Sequence, residues 1–174
     1  MATIPDTIVL KRDRDLDGRQ NDIWVRRGLF ALLCVVPVLA LLNLFGQRPS
    51  TSSAAVGAAH LEVYAPTRVR GGVLFEARFN VTAQHDLQKA ILVLDAGWLE
   101  GMTINGVEPQ PVAEASADGR LSLDLGHIPA GKKYLLFMQF QVNPTNVGHR
   151  NQTVQLYDGD RKLAEVRRTI TVFP

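Results

Sequence analysis

The chain has 174 residues, of which 46% are apolar and 21% are charged, and its net charge at pH 7 is +2. A charge so close to neutral excludes the strongly basic surface of a dedicated nucleic-acid-binding protein, and the apolar content excludes a disordered chain. The length suits one domain plus a smaller segment. The mean hydropathy of +0.01 is high for a soluble domain, which predicts a concentrated apolar segment.

The longest uncharged stretch runs from Gly28 to Gln47 and is almost entirely apolar. At about 1.5 Å per residue, a helix of this length spans roughly 30 Å, the thickness of the hydrocarbon core of a bilayer. A helix is the only single segment that satisfies all its own backbone groups in lipid. The sequence therefore predicts a transmembrane helix over residues 28–47.

Positive charge predicts the orientation of this helix. Arg26 and Arg27 precede it directly and stand among six lysines and arginines in the 20 residues before it, whereas Arg48 is the only one in the 20 residues after it. Arg26 and Arg27 are therefore expected to set the topology of a single-pass plasma-membrane protein, with a cytoplasmic N-terminus and the C-terminal domain outside. Two alternative interpretations are a cleaved signal peptide and a twin-arginine export signal.

Composition divides the rest of the chain. Residues 1–27 alternate in charge, which predicts a largely disordered cytoplasmic tail, and residues 48–57 are small and polar, which predicts a flexible linker. An extracytoplasmic domain is then expected over residues 58–174. Cys34 is the only cysteine, so an internal disulfide is excluded. Arginine outnumbers lysine 14 to 5, which favours a bacterial origin.

From residue 58 onward, apolar residues recur with a period of two, which is typical of half-buried β-strands. The clearest run alternates Phe75, Ala77, Phe79 and Val81 with polar neighbours. Turns are expected at Asn105-Gly106 and at Asp158-Gly159-Asp160, because Asn-Gly and Asp-Gly between alternating runs favour hairpins. About seven or eight strands without an amphipathic helix predict an antiparallel, immunoglobulin-like β-sandwich.

Residues 125–172 combine a glycine-bearing turn at Gly126 and Gly131, a long apolar strand over 134–142 and a terminal hairpin. This arrangement resembles the closing half of bacterial, membrane-anchored extracytoplasmic immunoglobulin-like domains of the CARDB type. The resemblance implies a β-sandwich with an adhesion or scaffold role and without catalytic residues. Because one fold serves many functions, it implies no specific partner.

The residues that could carry chemistry do not form a recognisable motif. The four histidines lie far apart, without the spacing of metal ligands, and neither an enzyme activity nor a metal or other cofactor is expected. Asp158, Asp160 and Glu165 depart from the EF-hand pattern, and a hairpin turn explains them without calcium. Asp95 and Glu100 flank Trp98 as a carboxylate pair of the kind that glycosidases use, but nothing else in the sequence supports such an enzyme.

Two surface features point to binding. Leu135 and Phe137 alternate with the core-facing residues of their strand, so they are expected on the other face, where a partner or a loop of the same domain covers them. Four basic residues surround the last hairpin and are candidates for contact with lipid headgroups or anionic wall polymers. Alternatively, they are solvated charges that protect an edge strand from pairing with another chain. They are Arg161, Lys162, Arg167 and Arg168.

These features favour a non-catalytic accessory or scaffolding subunit, with its helix in the lipid bilayer and its sandwich docked on a partner integral-membrane protein. An envelope-binding or adhesion module for cell-wall glycan or another surface ligand is the alternative. An exported metal-binding protein or enzyme is a second alternative with little in the sequence to support it. No nucleic-acid partner is expected.

Overall fold

The computed structural model describes residues 20–42 and 47–174. The chain divides into two compact units, residues 1–45 and 46–174, which are described separately. Among the described residues, the first unit contributes helix α1 and the strands lie in the second.

Helix α1 extends over Gln20–Leu41 and continues through Pro37. It begins eight residues before the predicted span, so residues 20–27 of the predicted disordered tail are helical, while residues 1–19 lie outside the described ranges. Asp22 lies in the first turn of the described helix, where a carboxylate interacts favourably with the helix dipole. An 18-residue window within Asn21–Leu41 has a mean hydropathy of 1.9, so the length and composition of this stretch fit a membrane anchor or a signal sequence.

Thirteen strands lie within the described residues and form three sheets. Their bounds are β1 Pro49–Val56, β2 Ala59–Pro66, β3 Arg68–Arg70, β4 Leu74–Ala83, β5 Leu87–Leu94, β6 Met102–Glu108, β7 Ala113–Ala117, β8 Arg120–Ile128, β9 Lys133–Val142, β10 Gly148–Asn151, β11 Val154–Asp158, β12 Arg161–Val166 and β13 Thr169–Phe173. The first sheet has the order β1-β2-β4-β9-β6, the second has β12-β11-β5-β8-β7, and a small third sheet has β10-β13-β3.

The predicted fold class, an apolar N-terminal helix followed by an antiparallel immunoglobulin-like sandwich, is confirmed. Every strand pair is antiparallel except β3 with β13, which is parallel. The strands are more numerous than the seven or eight expected, because short strands such as β3 and β7 contain at most one large apolar side chain. The side chains of β7, for example, are exposed along its whole length.

The core lies between the two larger sheets and is centred on Trp98. The first sheet contributes Phe79 and Phe140, whose rings lie 5.2 and 5.3 Å from that of Trp98. Trp98 comes from the 3-10 turn Ala96–Trp98, where Gly97 lies against the backbone of Asn151. A Cβ at Gly97 would be 2.0 Å from the Asn151 carbonyl oxygen, so only glycine allows this turn to insert the indole.

The predicted flexible linker over residues 48–57 is wrong, because strand β1 occupies most of it. Its eight residues pair in register with β2, from Pro49 opposite Pro66 to Val56 opposite Ala59. An edge strand is held by backbone hydrogen bonds and needs little apolar surface, so small residues suffice. The sandwich therefore begins before the expected residue 58.

One predicted turn is confirmed and the other is wrong. The Asp158-Gly159-Asp160 hairpin joins β11 to β12, with Asp158 paired to Arg161 and Gly159 at a φ of +58°. Asn105-Gly106 instead lies inside β6, where the register against β9 shifts by one residue. This β-bulge lets Ile104 and Val107 both pack against the core although they are three residues apart.

Candidate interaction surface

The outer face of the first sheet carries a row of side chains that crosses all five strands. In register, Thr51 lies opposite Tyr64, Tyr64 opposite Arg78, Arg78 opposite Phe137, and Phe137 opposite Glu108. Directly opposed residues on one face of antiparallel strands have Cβ atoms about 4.5–5.5 Å apart, so their side chains interact. The row therefore places one arginine between two aromatic rings.

Arg78 is held in this row by three groups. Its guanidinium carbon lies 5.4 Å from the centre of the Tyr64 ring and 5.6 Å from that of Phe137, both within cation–π range. Its Nε donates to the Glu76 carboxylate at 2.6 Å, and this hydrogen bond raises the pKa of Arg78 above its ordinary value. The guanidinium is thus positioned while remaining about half exposed to solvent.

Apolar side chains on the same face as this arginine are open to solvent. Leu135 is 42% exposed, Leu74 is 57% exposed and Tyr64 is 36% exposed, while Phe137 is half-buried. The structure places Leu135 and Phe137 on the outer face, as the alternation of β9 predicts. The outer patch, as we name it, consists of Tyr64, Leu74, Arg78, Leu135 and Phe137.

Sequence reasoning missed three members of the outer patch. Tyr64 and Arg78 each lie between two core-facing neighbours on β2 and β4. The same alternation that indicated Leu135 and Phe137 therefore placed them on an outer face. What the sequence did not contain was the strand order, which brings β2, β4 and β9 side by side.

A recess of about 610 Å³ opens beside the outer patch, at the end of the row formed by Phe137 and Glu108. Gly106 lies opposite Gln139 and presents no side chain there, and a Cβ at this position would meet open space. A smaller hollow of about 230 Å³ shares Glu76 and Gln139 with the recess. The lining of the recess is Glu76, Gly106, Val107, Glu108, Pro109, Gln110, Phe137 and Gln139.

Three of the four basic residues at the last hairpin lie at the surface, and the fourth, Arg168, is buried. Lys162 and Arg167 both bind the carboxylate of Glu165, with a distance of 2.5 Å from Arg167 Nε. The hydrogen bonds from Lys162 and Arg167 lower the pKa of Glu165 to about 2. Arg161 is exposed at the start of β12, and Arg168 faces the opposite way, into the core.

Arg168 is a buried structural residue with only 6% of its surface exposed. Its Nη2 donates to the carbonyl oxygens of Ala65 and Pro66 at 2.9 and 3.0 Å, and its guanidinium carbon lies 5.6 Å from the centre of the Trp98 ring. Burial lowers the pKa of Arg168 to about 10. The prediction that it contacts an anionic surface is therefore wrong, because the cluster was inferred from sequence proximity and adjacent residues point to opposite sides.

Arginines engage the two carboxylates that flank Trp98. Arg120 Nε lies 3.0 Å from Asp95, and Arg150 Nε lies 3.7 Å from Glu100. Both carboxylates thus participate in ion pairs on the surface. Within residues 20–42 and 47–174, no group of three or more His, Cys, Asp or Glu side chains converges as metal ligands would.

The two expected topology determinants lie within the first turns of α1. Arg26 and Arg27 belong to the helix, and the Arg27 guanidinium carbon lies 5.5 Å from the centre of the Trp24 ring. An arginine stacked on an indole at a helix end is compatible with a membrane–water interface, where both side chains are favoured.

No protein-family model matches the chain. The search of curated proteins also gave no match.

Several solved structures are similar to the chain. A non-cellulosomal cohesin from Archaeoglobus fulgidus is 13% identical, with 62% of this chain and 86% of that chain covered and a TM-score of 0.40. The CaCohA2 structure from Clostridium acetobutylicum is 15% identical, with coverage of 64% and 88% and a TM-score of 0.44. A CARDB domain from Pyrococcus furiosus, solved with di-metal ions, is 14% identical, with coverage of 68% and 97% and a TM-score of 0.38.

The last of these is a domain of the CARDB type, which residues 125–172 resemble. At such identities the likeness concerns the fold alone, and no activity or partner is carried over from these proteins.

Proposed function

We propose that this chain is a non-catalytic, membrane-anchored accessory subunit whose sandwich binds a partner membrane protein through the outer patch. The single observation that supports this most strongly is the arrangement of Arg78 between Tyr64 and Phe137, on a face where Leu74 and Leu135 are also exposed. Tyrosine, phenylalanine and arginine are enriched in protein interfaces, and tyrosine and arginine are also common among the residues that dominate their binding energy.

The geometry of Arg78 fits such a role. Its ion pair with Glu76 and its contacts with two rings reduce the conformational entropy that a long side chain loses on binding. A partner that covers the outer patch would bury aromatic and aliphatic surface around a pre-positioned charge. Both properties favour binding of a protein surface.

Helix α1 supports the membrane part of the proposal. Its stretch Asn21–Leu41 is long and apolar enough to cross a bilayer, and Arg26 and Arg27 near its N-terminal end favour a cytoplasmic N-terminus. A partner that is itself a membrane protein would be held at a high effective concentration by the anchor, so a modest patch suffices for stable association.

Site-specific photocrosslinking tests the proposal. The full chain, carrying a photoreactive phenylalanine analogue at position 135, is irradiated in its native membranes. We expect one covalent adduct with a discrete membrane protein, which also copurifies stoichiometrically after mild solubilisation. Leu135→Glu should abolish this copurification.

Val112 and Val147 provide matched controls, because both are exposed apolar residues in loops outside the outer patch. The same analogue at these two positions should give no adduct. Recovery of the full chain as a lone monomer, or equal adducts from all three positions, would contradict the proposal. Retention on purified wall material would instead favour an envelope-binding module.

A further inference from the structure

We infer that the recess beside Phe137 receives a lysine or arginine side chain of the partner, presented by an extended segment that pairs with the edge strand β6. This inference rests on the proposed function and names the chemistry of the partner at one point of the contact. It follows from the shape of the recess, its charge and its position at a sheet edge.

The shape of the recess results from a missing side chain. Gly106 lies in the cross-strand row that also contains Gln139 and Glu76, and its position on the outer face is empty. Phe137 and Glu108 form the next row and provide an aromatic ring and a carboxylate at the same opening. The volume of about 610 Å³ is ample for one long side chain together with water.

The charge of the recess is negative. Two carboxylates line it, Glu76 and Glu108, and Arg78 forms an ion pair with Glu76. Glu108 has no ion pair within the described part of the chain and is exposed at the end of β6. An incoming cation would therefore meet the available carboxylate of Glu108, a group that stabilises ammonium and guanidinium ions.

The position of the recess at a sheet edge favours an extended segment. β6 is the last strand of the first sheet and pairs with β9 on one side. The Val107 carbonyl oxygen on its other side accepts a hydrogen bond of 3.5 Å from Gln110 Nε2. The remaining backbone N–H and C=O groups on that side can pair with an added strand, a common mode of peptide recognition. Alternate side chains of an added strand would then project to the outer face, on the side where the recess opens.

Peptide binding to the full chain in neutral-lipid nanodiscs tests this inference. The probes are fluorescent heptapeptides of sequence Ser-Thr-Ser-Lys-Ser-Thr-Ser, with lysine replaced by arginine, norleucine or glutamate in separate probes, followed by fluorescence anisotropy. We expect the lysine and arginine peptides to bind, and the norleucine peptide to bind at least about tenfold more weakly because it lacks the charge. The glutamate peptide should not bind.

Two variants and a matched control locate the binding site. Glu108→Gln should reduce affinity for the lysine peptide about tenfold without changing the fold, and Gly106→Trp should abolish binding by filling the recess. Gly57→Trp is the control, because a Cβ at Gly57 also meets open space but Gly57 lies in the turn between β1 and β2. Unchanged circular dichroism of all three variants shows that they fold.

Equal binding of the lysine and norleucine peptides, or no binding of any peptide, overturns the inference. Retained affinity in Glu108→Gln also overturns it. Binding of a neutral oligosaccharide such as chitotetraose, lost in Gly106→Trp and unaccompanied by peptide binding, makes the recess a sugar site and overturns it as well. The crosslink from position 135 is independent of these results, so it distinguishes failure of this inference from failure of the proposed function.

Discussion

The outer faces of the two larger sheets differ although both are antiparallel and both cover the same core. The first sheet leaves Tyr64, Leu74 and Leu135 exposed. The described strands of the second sheet have no exposed large apolar side chain. Ile91 and Val93, on the outer face of that sheet, are half-buried.

Several polar side chains of the second sheet form ion pairs or hydrogen bonds with one another. Lys89 Nζ lies 3.7 Å from Asp124, Lys162 and Arg167 share Glu165, and Tyr157 donates its hydroxyl to Gln155 at 2.8 Å. Such a face gains less from a partner, because several of its charges are already paired and its large apolar side chains are at least half-buried. The first sheet is therefore the better candidate for binding, and each prediction below tests this contrast.

The largest expected effect is unfolding of both large sheets when Trp98, in the core between them, is replaced. Trp98 is fully buried between aromatic residues of the first sheet, and Trp98→Ala should lower the free energy of unfolding by about 3–5 kcal/mol. Urea denaturation of the full chain in detergent, followed by circular dichroism, measures this change. Trp98→Phe is the matched control and should cost less, while a cost under about 1 kcal/mol for alanine would contradict the central position of the indole.

The connection between the sheets should weaken when Arg168 is replaced. This side chain begins between β12 and β13 and binds the last two carbonyls of β2, so Arg168→Met leaves both carbonyl oxygens without their donor. We expect a loss of about 1–3 kcal/mol in the free energy of unfolding, measured in the same denaturation experiment. A gain in stability would mean that desolvation of the guanidinium outweighs its hydrogen bonds.

Replacement of Arg78 by alanine tests whether only the outer face of the first sheet binds the partner. It removes the charge between Tyr64 and Phe137, and we expect about a tenfold loss of affinity for the crosslinked partner with a change of less than about 0.5 kcal/mol in stability. Lys89→Ala removes a comparable exposed cation from the second sheet and should leave affinity unchanged. If both variants bind equally well in a pull-down of solubilised membranes, the contrast between the faces has no functional meaning.

The smallest expected effect concerns the ion pairs of Glu165. Its pKa is lowered to about 2 by hydrogen bonds from Lys162 and Arg167. A depressed carboxylate pKa stabilises the folded chain above the unfolded value of about 4.5, and this contribution disappears as the pH falls toward 2. The difference in melting temperature between the native chain and Glu165→Gln should therefore shrink between pH 5 and pH 2. A difference that stays constant over this range would show that the ion pairs contribute no pH-dependent stability.

The sequence predicted the fold class and the inward face of the long strands, because the alternation of residues such as Phe79 and Phe140 reports burial directly. It failed at β1, whose small residues are held by backbone hydrogen bonds that no side-chain pattern records. It also failed at Arg168, because adjacent residues in a sequence can point to opposite sides of a sheet. Two of the five residues of the outer patch, Leu135 and Phe137, were predicted as a partner surface. Alternation also places Tyr64, Leu74 and Arg78 on an outer face, but only the strand order shows that this is the same face.

The register of β1 has a mechanical consequence. β1 is the first strand after the helix, and eight residue pairs join it to β2, with Pro49 opposite Pro66 at one end. A pull at Pro49 along the strand loads all eight pairs at once, whereas a pull across the sheet opens them singly, starting from Pro49. The force needed to detach β1 should therefore be higher when it acts along the strand than when it acts across the sheet.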